Sequence, residues 1–172
     1  TITQQYVKNV YFSHEKTIRR KVNEAIIAIQ LEKYYTKDKI LEMYLNTVYF
    51  GSGAYGIEKA AQTYYGKSAQ DITISEAALL AGLLRSPEIY SPFNNMEKAK
   101  SRRNTVLGLM KEQGFITDKQ YMDAINEPII VNVSGSGSTN NQDRFAPYFI
   151  DFVKQQLYEK KFTDYDVFKG GL

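Results

Sequence analysis

Three capping boxes constrain the fold of this 172-residue chain more than any other feature. Thr73-Ile-Ser-Glu76, Asn94-Asn-Met-Glu97 and Thr117-Asp-Lys-Gln120 each set a short polar side chain three residues ahead of Glu or Gln, with apolar residues at helical spacing beyond. Such a side chain accepts from backbone N–H groups that the first turn of a helix leaves unpaired. Gly66 and Gly114 follow periodic stretches as C-terminal stops, and Pro87 and Pro128 stand just past other helix ends. Strand-like alternation is almost absent. The pattern predicts helices near 2–12, 17–34, 37–46, 56–65, 74–85, 95–113, 118–126 and 145–160, so the expected fold class is all-α.

After Pro128 comes a brief extended piece, Ile129-Ile130-Val131, and then Ser134-Gly-Ser-Gly-Ser-Thr-Asn-Asn141, whose small polar residues have nothing to bury. The expected organisation is therefore a main domain over 1–131, a flexible linker over 132–144, and a helical segment over 145–172. That last helix starts near Pro147 and carries Phe149, Phe152, Val153 and Leu157 on one face. The main domain is long enough to bury its own core. The chain has no cysteine, which excludes disulfides, a thiol nucleophile and thiolate metal ligands. Its longest apolar run, Ala77 to Leu84, has eight residues, far short of the roughly 20 that span a bilayer. It opens at Thr1 directly into periodic sequence, as a piece cut from a longer protein would, with any membrane anchor expected outside it.

Charge is unevenly placed. Residues 1–33 carry Lys8, Lys16, Arg19, Arg20, Lys21 and Lys33 against only Glu15, Glu24 and Glu32, while the remainder is balanced. A basic opening in a neutral domain fits an anionic partner or a solvated charged face. On a helical wheel, Ile18, Val22, Ala25, Ile26 and Ile29 form a stripe expected to face a core. Arg20, Glu24, Ile27 and Leu31 form a second line opposite it, so this helix is expected to be covered on both sides and Glu24 to be at least partly buried. A buried carboxylate is costly unless paired, so Glu24 either serves the structure by pairing with Arg20 or faces a polar cleft. Lys8, Lys16, Arg20 and Lys21 cluster near it in sequence, and Thr1-Ile-Thr-Gln-Gln5 adds hydroxyls and amides at a helix start. Together they suit a pyrophosphate. A nucleic-acid face is not expected, because no basic stripe continues beyond residue 33.

Other pattern matches lack context. Gly51-Ser-Gly-Ala-Tyr-Gly56 fits a dinucleotide fingerprint literally but has no βαβ unit around it. Ser13-His-Glu-Lys16, Ser138-Thr-Asn140 and Lys169-Gly-Gly171 echo acyl-serine elements loosely. His14 is the only histidine, which excludes a multi-histidine metal site and fits a solvated turn.

The same residues resemble a known family, the peptidoglycan glycosyltransferase domain of bifunctional class A penicillin-binding proteins. Thr1-Ile-Thr-Gln-Gln-Tyr-Val-Lys-Asn9 is similar to the end of its G-G-S-T-I-T-Q-Q segment, and Arg20-Lys-Val-Asn-Glu24 to its R-K-x-x-E motif. Lys39-Ile-Leu-Glu-Met-Tyr-Leu-Asn46 with Phe50-Gly51, Gly53 and Gly56 resembles the next motif, and Glu76 through Gly82 to Pro87 the last. Gly170-Gly171-Leu172 resembles the approach to a transpeptidase domain. The resemblance implies a lysozyme-like helical fold that polymerises lipid II into a growing glycan strand at the outer face of the bacterial cytoplasmic membrane. The acceptor's 4-hydroxyl attacks with inversion and undecaprenyl pyrophosphate departs.

Carried onto this chain, the resemblance gives Lys8 and Lys16 the donor pyrophosphate, with Arg20 and Lys21 in support. Thr3, Gln4 and Gln5 line the sugar cleft. Glu24 is the second essential carboxylate, acting directly or through a divalent metal, Mg or Mn, and no organic cofactor is implied. Lys16 stands where some members have arginine. The family's first motif, E-D-x-x-F-x-x-H-x-G, carries the carboxylate taken as general base and does not occur in these 172 residues, so this chain alone is expected to be inactive or nearly so. A lysozyme-like glycan hydrolase or lytic transglycosylase, and a non-catalytic helical interaction module, are the alternatives.

Overall fold

The computed structural model describes residues 1–12 and 17–132. Eight helices lie in these residues: α1 (Ile2–Tyr11), α2 (Ile18–Tyr34), α3 (Lys37–Thr47), α4 (Ile57–Tyr65), α5 (Ile74–Leu83), α6 (Pro87–Tyr90), α7 (Met96–Glu112) and α8 (Asp118–Asn126). No strand occurs among them, only an isolated bridge between Tyr49 and Tyr55. The all-α expectation holds. The linker over 132–144, apart from Asn132, and the helix expected over 145–160 lie outside the described residues, as do Ser13, His14, Lys16 and the echoes at 138–140 and 169–171.

Local chemistry sets the helix starts. Thr73 and Thr117 each accept from the N–H three residues on, while Glu76 and Gln120 reach back to the cap, as their spacing predicts. The cap of α7 differs by one residue: Asn95, not Asn94, accepts from the Lys98 N–H, and no reciprocal glutamate closes a box. A further box, Thr1 with Gln4, opens α1. The short α6 was not anticipated. Pro87 lies just past the end of α5, as its position predicts, and also occupies the first turn of α6, where a missing N–H costs nothing.

α5 is the central helix, burying Ser75, Ala78, Leu79, Leu80, Gly82 and Leu83 on nearly all sides. The main core joins Leu79, Leu80 and Leu83 to Tyr44, Phe50, Tyr64 and Ala99, and a second cluster joins Ala78 to Leu107, Ile116 and Ala124. Each buried leucine contributes about 2 kcal/mol relative to exposure. α7 packs along α5, and α1 packs on both α2 and α3.

The Gly51–Gly56 segment is a tight turn rather than a nucleotide cradle. Phe50 N–H donates to Ala54 O and Gly56 N–H to Val48 O, and Tyr64 Oη donates to Phe50 O. Gly56 has φ +82°, and a Cβ there would sit 2.6 Å from Asn46 O. Glycine is demanded by the turn.

Arg103 on α7 is the most deeply buried charge among the described residues, 1% exposed. Its guanidinium donates to Ser75 Oγ, Glu127 O and Ile125 O, so one side chain ties the start of α5 to the end of α8. Burial lowers its pKa, opposed by the nearby Glu127 carboxylate. Arg103→Met should lower unfolding stability by about 3 kcal/mol, because it strands buried acceptors. Urea denaturation checks this, and a loss near zero would contradict the clamp.

Candidate anionic-substrate site

The outward and inward faces of α2 are the reverse of what its apolar residues predict. Ile18, Val22, Ile26 and Ile29, expected in a core, are 86%, 53%, 50% and 57% exposed, and only Ala25 of that stripe is half-buried. The helix is not covered on both sides. Glu24 and Ala28 are the buried residues, with Arg20, Ile27 and Leu31 half-buried beside them. The physical reason lies in close approach: the small Ala28 and a paired carboxylate let α1 and α3 come near, and Thr3 Oγ1 donates to Glu32 Oε1 at 2.6 Å to fix the α1–α2 contact.

Glu24 is 2% exposed and sits among cations. Lys21 Nζ donates to Oε2 at 2.8 Å, and Arg20 Nε lies 3.0 Å from Oε1. The cover is thin, since Lys21, which closes over one oxygen, has a side chain that is itself 66% exposed. The hydrogen bond from Lys21 lowers the Glu24 pKa, burial opposes it, and the charges of Lys21, Arg20 and Lys8 lower it further. Lys8 on α1 is exposed and stands close enough to act on Glu24 electrostatically. The structure thus brings Lys8, Arg20, Lys21 and Glu24 together. Of the two alternatives for Glu24, the structure shows the pairing with Arg20, beside the exposed side chains of Lys21 and Lys8.

The other sequence-predicted residues divide. Gln5 is exposed and accepts at Oε1 from the Tyr44 hydroxyl at 3.2 Å. Gln4 is exposed, and its Oε1 accepts from the Thr1 ammonium at 3.1 Å within the cap of α1. Thr3 is buried, its hydroxyl spent on Glu32 rather than turned to a cleft. Lys16 lies outside the described residues. Tyr44 was not anticipated. In sequence it is one more apolar residue of α3, four after Ile40, and nothing local marks its hydroxyl.

No group of three acidic or histidine side chains converges among the described residues, and both Glu24 oxygens face cations. No helix among the described residues is long and apolar enough to cross a membrane.

Fold and site together define a class: a helical domain that gathers several cations around one buried carboxylate whose pKa is lowered, an arrangement suited to an anionic partner. Comparison with known proteins narrows it. The family model described as transglycosylase matches residues 1–111. Penicillin-binding protein 1A of Aquifex aeolicus is 46% identical over 160 residues, 93% of this chain and 21% of that protein. Penicillin-binding protein 2D of Bacillus subtilis is 47% identical over 160 residues, 93% of this chain and 23% of that protein. The crystal structure of penicillin-binding protein 1A from Haemophilus influenzae superposes with a TM-score of 0.55 at 26% identity, covering 95% of this chain and 20% of that one. The chain belongs to the transglycosylase family, the peptidoglycan glycosyltransferases of class A penicillin-binding proteins, with their lysozyme-like helical fold. It spans about a fifth of the length of the curated relatives it matches.

Because the folded-state pKa of Glu24 is depressed, its ion pairs contribute stability that is fully present above the pKa of a free glutamate, about 4.3, and is lost as the pH falls below it. Glu24→Gln should therefore flatten the acid limb of the stability profile. Thermal melts from pH 7 to pH 3 test this, and parallel curves for both proteins would contradict the assignment.

Proposed function

We propose that this chain is the part of a peptidoglycan polymerase that binds lipid II and the growing glycan strand, acting at the outer face of the bacterial cytoplasmic membrane. A transpeptidase domain belongs to the same parent protein on this reading. The observation that carries it is the pairing of Arg20 and Lys21 with Glu24, with Lys8 on α1 near enough to lower the pKa of the same carboxylate. In glycosyl transfer from a lipid pyrophosphate, negative charge grows on the departing phosphates as the acceptor hydroxyl attacks the anomeric carbon. Cations held in place beforehand stabilise that charge without reorganising during the reaction.

Glu24 organises those cations. Its lowered pKa keeps it anionic at neutral pH, so it holds Lys21 and Arg20 in register and is not a proton donor. That disfavours a lysozyme-type hydrolase, whose acid carboxyl needs a raised pKa. Lys16, next to this segment in sequence, joins the pyrophosphate grip, and Gln4 and Gln5 face the sugars, while Thr3 supports them from the α1–α2 contact.

An inverting transfer also requires a base for the acceptor hydroxyl. The motif that carries this base in the family, E-D-x-x-F-x-x-H-x-G, does not occur in these 172 residues, so they alone are expected to form little or no polymer from lipid II. In the protein at its natural length, Lys8→Ala should cut polymerisation on the order of a hundredfold, the effect of losing one transition-state charge partner, without moving the melting temperature of an exposed site. Gel analysis of polymer from labelled lipid II is the measurement. Full turnover by the 172 residues would overturn the missing-base argument, and unchanged turnover by Lys8→Ala would overturn the pyrophosphate grip.

A further inference from the structure

Resting on that glycosyltransferase reading, we propose that Tyr44 is a positioning residue that orients the Gln5 amide, turning its NH2 outward to donate to an oxygen of the lipid-linked sugar. Tyr44 belongs to α3 and its ring is part of the main core, 5% exposed. Its hydroxyl crosses to α1 and donates to Gln5 Oε1 at 3.2 Å, a contact between residues 39 apart in sequence. A core aromatic thus reaches a side chain that is otherwise exposed.

Burial raises the Tyr44 pKa, so the hydroxyl remains a donor throughout the neutral range. That donor fixes the amide. If Gln5 turned over, its NH2 would point at the phenol oxygen and the buried O–H would lose its acceptor, an arrangement that burial penalises. With Oε1 engaged, Nε2 has no partner among the described residues and belongs to an exposed side chain. Lys8 lies one turn further along the same helix and acts on Glu24. A pre-oriented donor therefore stands one turn from the cation cluster, where a sugar attached to the bound pyrophosphate would lie. The long, flexible side chain of a glutamine gains most from such a fixed anchor, because the rotamer freedom lost on binding substrate is already spent.

The test uses the protein at its natural length and compares wild type, Tyr44→Phe, Gln5→Ala, Gln5→Glu and the double variant Gln5→Ala/Tyr44→Phe. Polymerisation kinetics with lipid II are read beside melting temperatures. Tyr44→Phe should lower kcat/KM about fivefold, the effect of one neutral hydrogen bond, at a nearly unchanged melting temperature. Gln5→Glu keeps an acceptor for Tyr44 but removes the outward donor, and should lose at least as much. Tyr44→Phe should add nothing once Gln5 is alanine, the mark of two residues acting as one unit. Equal kcat/KM for wild type and Tyr44→Phe would overturn the proposal, as would the same loss in the Gln5→Ala background, which would show Tyr44 acting through the core. Absence of polymer from wild type would instead sink the glycosyltransferase reading. Crystal structures of wild type and Tyr44→Phe then decide the positioning role alone: the Gln5 amide should be ordered in the first and lose its single orientation in the second, and an unchanged amide would refute it.

Discussion

The site depends on one carboxylate that cannot be removed without releasing the charges around it. Glu24 lies on the buried face of α2 with Lys21 and Arg20 closing over it at 2.8 and 3.0 Å, and the carboxylate between them holds those two cations near one another. Like charges this close repel, so a basic cluster without Glu24 would spread into solvent. The carboxylate also sits where α2 meets α1, and the α1–α2 contact is fixed a few turns away by Thr3 and Glu32. Packing of two helices and assembly of an anion site are therefore the same event.

Behind this site lies a scaffold tied together by buried side-chain hydrogen bonds. α5, buried on nearly all sides, gives α7 a surface to pack along, and Arg103 joins the ends of α5 and α8 through three donated hydrogen bonds. Tyr64 performs a similar task in the turn between α3 and α4, its hydroxyl donating to Phe50 O where Gly51 and Gly56 adopt positive φ. A rigid core on one side and thinly covered charges on the other are what a preorganised electrostatic site requires.

Most of this scaffold was legible in the sequence because its signals are local. Thr73 with Glu76 and Thr117 with Gln120 mark helix starts within four residues, and a capping bond needs nothing beyond them. The single turn of α6 was hidden because Pro87 reads equally as a stop or a first helical residue. The face of α2 was misread for a different reason. A wheel counts isoleucines, but what α1 and α3 approach is the side bearing Ala28 and the neutralised Glu24, and only tertiary contact reveals which side that is. Lys8, Arg20, Lys21 and Glu24 could be picked out by charge and by the family motif, whereas Tyr44 and Gln5 could not be paired, since no local rule links positions 39 apart.

Direct calorimetric titration of ligands into the protein at its natural length tests the central claim without relying on turnover. A short-chain polyprenyl pyrophosphate should bind with an affinity that weakens as salt rises, the corresponding monophosphate should bind more weakly, and a neutral oligosaccharide of the same sugars should bind weakly at any salt concentration. Equal, salt-independent binding of the neutral glycan and the pyrophosphate lipid would contradict an anion site built around Glu24.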